Sequence, residues 1–535
     1  MRLFSLFFAM LMLFSACQPQ KVTTEEGVVI QVSASVPSVV ATDSVITLSF
    51  SAAIPASTDL SAFFDITPAL EGTFDIASDG MSATFSPTLG WEPGVSYEIT
   101  VSDNVSLGNN DSLAANTWTV QSPEWTDPAI LYAVDGTARA WDMATDSKGN
   151  VFVVGQILGY FDAKTDPENP VNVPATSFHD KTPSYYVQGF LLKYSASGEL
   201  LWSQLLDNGT DSHSYHISVL SDDSLVLLLR THNDAANPSR VLRLDNDGTA
   251  LAGSPWMFES DTADSFINIG AFTATTDGDV YLYGQTDGSI DGAESGWYFV
   301  MKYSKNGQRA WVKQFDPIVP NDGFVGFSVW NMQTDQEGGL YLNVTSNATV
   351  LGSNPIFNDV TTSQDGMVIK FTATGELAWI KRYGDEAMRI YAEAMLVTEE
   401  GEVYASLEFY DAPEGKQFDS VVLNATDGVA MIHLNSAGEF QNAGVFANDG
   451  GWVWPTDLVH TQDNTVVGIG VYGNDATPES TWLSEWDAQG NLYRQQLVSD
   501  IPADYDTQLT INLWGQTFMA SRQNDGVLVR KVSFD

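Results

Sequence analysis

Cysteine is nearly absent from this chain: Cys17 is the only one in 535 residues. That excludes intrachain disulfides, a thiolate metal centre and, beyond the first residues, a cysteine nucleophile. Histidine is scarce as well, with six copies. His213 and His216 lie three apart, but no third ligand is placed near them, and such a pair is ordinarily a set of satisfied surface groups. Basic residues number 23 against 68 acidic ones, a net charge of −45. A surface so acidic repels nucleic acid and anionic lipid, which removes nucleic acid from the plausible partners. No Gly-x-Ser-x-Gly, phosphate-binding Gly-rich loop or His-Glu-x-x-His occurs. Among so many acids a glycosidase-like pair somewhere is expected by chance. After Phe14 no apolar run is long enough to span a bilayer.

What is present begins with residues 1–17. Arg2, an apolar run from Leu3 to Phe14 and the small residues Ser15 and Ala16 precede Cys17. The run is too short for a membrane-spanning helix and reads as a secretory signal. The small-small-Cys ending resembles the bacterial lipoprotein signal, which implies lipidation of Cys17. It departs from that pattern in carrying Phe14 where leucine is usual, and an ordinary cleaved signal stays open. The resemblance further implies an outer-membrane address, because Gln18 stands where aspartate favours the inner membrane. Contact with the membrane is then through the lipid alone, since several acyl chains suffice for stable anchoring. Residues 18–28 are short and polar, a flexible tether.

From residue 29 to 122 the pattern is all-β. Ile46, Leu48 and Phe50 alternate on one face, Ala83 and Phe85 follow, and Tyr97, Ile99 and Val101 again run at period two. About seven short strands fit, the size of an Ig-like β-sandwich. Phe85-Ser86-Pro87, Trp91-Glu92-Pro93-Gly94 and Tyr97 resemble the bacterial Ig-like domains of SbsA-like type.

From about residue 124 to 535 the chain repeats. One marker is an acidic turn between apolar strands, as in DSKGNVFVVG at 146–155 and TDGDVYLYG at 276–284, in seven copies. The other is a strand, a glycine turn and often a tryptophan, as in VMKYSKNGQRAW at 300–311 and VIKFTATGELAW at 368–379, in six complete copies. A seventh copy is cut short by the chain end. Each unit has four strands and cannot bury both faces alone, so units must stack, and radial stacking makes a β-propeller. The motif resembles bacterial propeller repeats of the SBBP or delta-60 kind. An open solenoid is the alternative. Closing the ring without a bare edge strand requires a fourth strand for the last unit. Ile130–Val134 supplies it. The fold expected is therefore an Ig-like sandwich followed by a seven-bladed propeller closed by an N-terminal strand. The tryptophans resemble in part the docking repeats of quinoprotein propellers, yet lack the fuller Ala-x-Asp-x-x-Thr-Gly pattern, and read as wedges between blades with no quinone.

Function is expected on the long, varied connections between blades. Those near the channel carry Asp207, Asp211, Asp322, Asp449, Asp457 and Asp506 beside Tyr215, Phe324, Trp330, Trp452, Trp454 and Tyr505. Flat aromatic faces stack on sugar rings, and carboxylates bind sugar hydroxyls or Ca²⁺. Trp330, Trp452, Trp454, Tyr215, Tyr505, Asp322 and Asp449 are the candidate ligand-binding residues; no catalytic residue and no definite cofactor is assigned. The bland alternative is that the aromatics pack between blades and the acids cap turns. The expected role is a lipid-anchored envelope protein that binds a glycan or a protein, with the Ig-like domain as spacer. A polysaccharide-acting enzyme and an envelope assembly scaffold remain open.

Overall fold

The computed structural model describes residues 29–534 except 36–39, 43, 103–106, 108–110, 126–128, 162–183, 207–211, 232–238, 259–264, 291–296, 316–326, 348–349, 352–353, 356–363, 385–387, 448–450, 475–476, 499–500, 502 and 524–525. Two compact units emerge, residues 1–123 and 124–535.

The first unit is a sandwich of a four-stranded and a three-stranded sheet, with a two-residue parallel pair beside them. Ile46, Leu48 and Phe50 alternate inward from one sheet and Tyr97, Ile99 and Val101 from the other. Between them Trp91 is completely buried and its indole N–H donates to the Ser44 carbonyl at 2.7 Å. A buried indole with its one donor satisfied is what makes so large an apolar side chain stabilising here.

The second unit is a ring of seven four-stranded antiparallel blades. The strand Ala129–Thr145 does two jobs. Its first residues, Ala129–Tyr132, pair with Val529–Gly526 of the last strand; from Ala133 onward it pairs with Val151–Phe161 and becomes the inner strand of blade 1. The final blade is thus completed by the segment near residue 130, which leaves Gly526–Val529 of the last strand paired on both sides. The inner strands of the others are Ser212–Val219, Ile267–Ala274, Phe327–Thr334, Arg389–Val397, Gly451–His460 and Gln508–Ile511, each touching the next around the ring.

Burial explains the reading of each strand. The second strand of a blade is covered on both faces by neighbouring blades, so it is apolar throughout rather than alternating. Val151–Val154 and Leu225–Leu229 are fully buried along their length. The motif tryptophans sit between blades. Trp202, Trp311 and Trp379 each pack on the turn glycine of the following blade, Gly248, Gly375 and Gly438, and Trp125 packs on Gly198 across the closure. Trp311 and Trp379 also donate to Ala373 O and Ser436 O in those turns, at 3.0 and 3.1 Å. Burying a side chain of this size contributes about 3 kcal/mol, repeated around the ring.

The recurring lysine and acidic turn are one contact. Lys302 meets Asp279 at 2.8 Å, Lys370 meets Asp335 at 3.1 Å and Lys193 meets Asp146 at 3.8 Å. Each ammonium also lies over the aromatic ring of strand two: Tyr281, Tyr341 and Phe152, at 4.7–5.1 Å. In blade 5 the same place holds His433, stacked on Tyr404 and 2.8 Å from Glu402.

Candidate site in the central channel

The inner strands frame a cavity of about 760 Å³. Six of them carry a β-bulge at the same distance from the acidic turn. A bulge leaves a residue unpaired and re-aims its side chain. Here the residues at the bulges are Trp141, Tyr215, Gly270, Trp330, Glu393 and Thr456, and all six line the channel. Where Gly270 supplies no side chain, a side pocket of about 250 Å³ opens, bounded by Arg230, Tyr283 and Trp330.

The candidates fall on strands more than on loops. Tyr215, Trp330, Trp452 and Trp454 all stand within inner strands, because those strands run on past the bulge toward the blade-to-blade connections. Tyr215, Trp330, Trp454 and Tyr505 line the cavity. Trp330 and Tyr505 are 49% and 44% exposed, unusual for such side chains and therefore available as a rim. Trp452 stacks on Tyr505 with the rings 5.9 Å apart, and Trp454 meets the same ring edge-on at 5.8 Å. Tyr505 in turn donates to Glu479 at 3.2 Å. Opposite, Tyr215 lies 4.8 Å from Trp141 and under the Arg230 guanidinium at 5.2 Å. Burial raises the Tyr215 hydroxyl pKa, with Arg230 opposing. Asp322 and Asp449, with Cys17, Asp207, Asp211 and Phe324, lie outside the described residues.

Four acids among the described residues line the channel: Asp142, Glu393, Asp457 and Asp506. Their partners separate them. Asp142 accepts from the backbone N–H of Met143 and, across to blade 2, of Ile217 at 2.8 and 2.9 Å. Asp457 repeats the arrangement from blade 6 to blade 7, accepting from Leu458 and Leu509 at 2.8 Å each. Burial nevertheless pushes Asp457 up to about 7. Asp506 is paired with Arg139 at 3.0 Å, and burial, reinforced by Asp504, raises it to about 6. Glu393 differs. It is 6% exposed, its Oε1 has no hydrogen-bond partner among the described residues, and burial beside the Glu408 charge pushes it well above the ordinary carboxyl range. Sequence reading missed Glu393, which stands inside an apolar strand rather than a loop. Aligning the seven inner strands on their acidic turns would have placed it beside Trp330 and Tyr215. Trp141 Nε1 is a second polar atom at this level without a partner among the described residues. No group of three or more His, Cys, Asp or Glu side chains among the described residues is arranged to hold a metal ion.

Residues 27–121 match the model of the bacterial Ig-like domain. No curated protein matches the chain. Solved structures similar to it include the WD40 domain of Neurospora crassa Pan2, at 8% identity over 77% of this chain and 98% of that one, TM-score 0.41. A protein of unknown function from Bacteroides thetaiotaomicron has 12% identity over 95% and 99%, TM-score 0.33. The gluconolactonase XC5397 from Xanthomonas campestris has 12% over 60% and 90%, TM-score 0.29. No helix among the described residues is long and apolar enough to cross a membrane.

Proposed function

We propose that this is a lipid-anchored protein of the bacterial outer membrane whose propeller binds a glycan at the mouth of the central channel, with the Ig-like unit as spacer. The blade motif supports grouping the repeats with the SBBP or delta-60 kind. The observation that carries the binding reading is the half-exposed rim of Trp330 and Tyr505, backed by Trp452 and Trp454, around a cavity lined with carboxyl groups. Sugar rings present apolar faces to such aromatics and hydroxyls to such oxygens.

The same carboxyls favour binding over hydrolysis. Glycoside cleavage needs two carboxyl groups facing one bond. Among the described acids that line the channel, Asp142 and Asp457 are each held by two backbone N–H groups and Asp506 by Arg139, which leaves Glu393 without such a partner.

A glycan-array screen of the chain from residue 18 onward, with and without calcium, tests the reading. Retention of a defined saccharide that Trp330→Ala weakens is the expected result. Loss of all glycan binding would overturn it in favour of an assembly role. The anchor is tested separately: Cys17→Ser should move the protein from the membrane fraction to the soluble fraction, and unchanged fractionation would sink it.

A further inference from the structure

Resting on that glycan-binding reading, we infer that the ligand carries a free ammonium group, as an unacetylated amino sugar does, and that Glu393 seats it. Among the described residues the cavity is lined by four acids and by no lysine or arginine. Three of those acids already have partners within the protein, whereas Glu393 keeps an oxygen that nothing among the described residues bonds. A carboxyl that is 94% buried with an unmet acceptor is costly, and such a group persists where a ligand meets it. Its neighbour Glu408, 1% exposed, brings no compensating positive charge, and its Oε1 accepts from the Tyr410 hydroxyl. Neither forms an ion pair among the described residues.

The aromatic residues complete the argument. Trp141, Tyr215, Trp330, Trp454 and Tyr505 line the same cavity, and ring faces attract cations once water is excluded. A bare divalent ion is ordinarily held by several carboxylate and carbonyl oxygens, and no group of three or more His, Cys, Asp or Glu side chains among the described residues is arranged to hold one. An organic ammonium needs three acceptors and gains from the rings. The saccharide would lie on the Trp330 and Tyr505 rim with its amine directed inward.

The test is calorimetric titration at physiological salt of the chain from residue 18 onward, which retains both compact units. The probes are a trisaccharide of N-acetylglucosamine and its fully deacetylated counterpart. The amine form should bind at least tenfold tighter, and Glu393→Gln should reduce that preference to about twofold. Because Glu393→Gln changes the net charge by at most one in about forty-five, it leaves the general attraction of an acidic protein for cations almost intact. A preference that survives the substitution would therefore overturn the inference, as would equal binding of the two probes, and in both cases the glycan reading stands. Absence of binding by both probes would overturn the inference, and the glycan-array screen then decides separately whether the glycan reading falls with it. Trp330→Ala, on an exposed side chain, should weaken both probes alike and leave the preference, a separation of rim from seat that does not depend on the Glu393→Gln variant folding.

Discussion

The two ends of each blade behave differently. At the turn end one contact recurs: Lys193, Lys302 and Lys370 reach an acid of the first turn over an aromatic ring, and blade 5 keeps the geometry with His433, Glu402 and Tyr404. At the bulged end the backbone recurs but the side chain changes, through Trp141, Tyr215, Gly270, Trp330, Glu393 and Thr456. Where every blade solves the same packing problem, the same residues serve. Where the seven strands converge on one shared space, identical residues would make only a symmetric lining. Divergence on a repeated bulge is therefore the mark of a site, and repetition the mark of the frame.

The frame should respond most strongly. In Lys370→Met the carboxylate of Asp335, 4% exposed, keeps its bonds from Gly339 N and Tyr341 Oη but loses its cation. Breaking one side of a buried pair costs about 3–5 kcal/mol, read as a lowered denaturation midpoint. A loss below about 1 kcal/mol would mean that the lock is not what stabilises the turn. Gly375→Ala comes next. Gly375 has a φ of +83°, and an added Cβ would stand 2.7 Å from the Trp311 ring. Backbone strain and overpacking together should cost about 3 kcal/mol. Gly415 has a φ of +76° with nothing within 4 Å, so Gly415→Ala should cost only the backbone share, about 1 kcal/mol. Equal losses at the two glycines would show that the tryptophan wedge adds nothing.

The channel side carries a pH signature instead. Burial pushes Glu408 up to about 7. Its pKa is raised in the folded state, so the folded chain binds more protons than the unfolded one between about pH 4.5 and 7. The stability this contributes is complete below the unfolded value and is lost as pH rises through about 7. Glu408→Gln keeps an acceptor for Tyr410 and removes the titration. The melting temperature of the variant should fall less than that of the parent between pH 5 and 8, a difference on the order of 1–3 kcal/mol. Parallel curves would assign the pH dependence to Glu393, Asp457 and Asp506, which burial also raises.

How much of this was legible beforehand follows the same division. The turns, the wedging tryptophans and the closing segment near residue 130 were readable because they repeat, or because a repeat was one strand short. The bulges were not. A bulge is defined by register against a partner strand, and nothing in Ala392-Glu393-Ala394 announces that Ala392 faces Leu407 while Met395 faces Ala405. For the same reason the candidate aromatics were expected on loops: FSVW and WVWP read as loop ends, whereas pairing extends the strands through them. Asp457 was selected for its loop-like setting, yet it holds one blade to the next through Leu509 N.

The smallest effect on stability should come from the residue that matters most to binding. Trp330 is 49% exposed at a bulge, its ring facing both the channel and the side pocket beside Gly270. Trp330→Ala removes little buried area, so the melting temperature should stay within the shift that about 0.5 kcal/mol produces. Affinity for a retained glycan should nevertheless fall by tenfold or more, because an aromatic platform at the centre of a binding face carries a disproportionate share of the energy. The two readouts are chosen to disagree. If stability falls and affinity does not, Trp330 belongs with Trp311 and Trp379 as packing, and variation on the bulge has to be explained without a ligand.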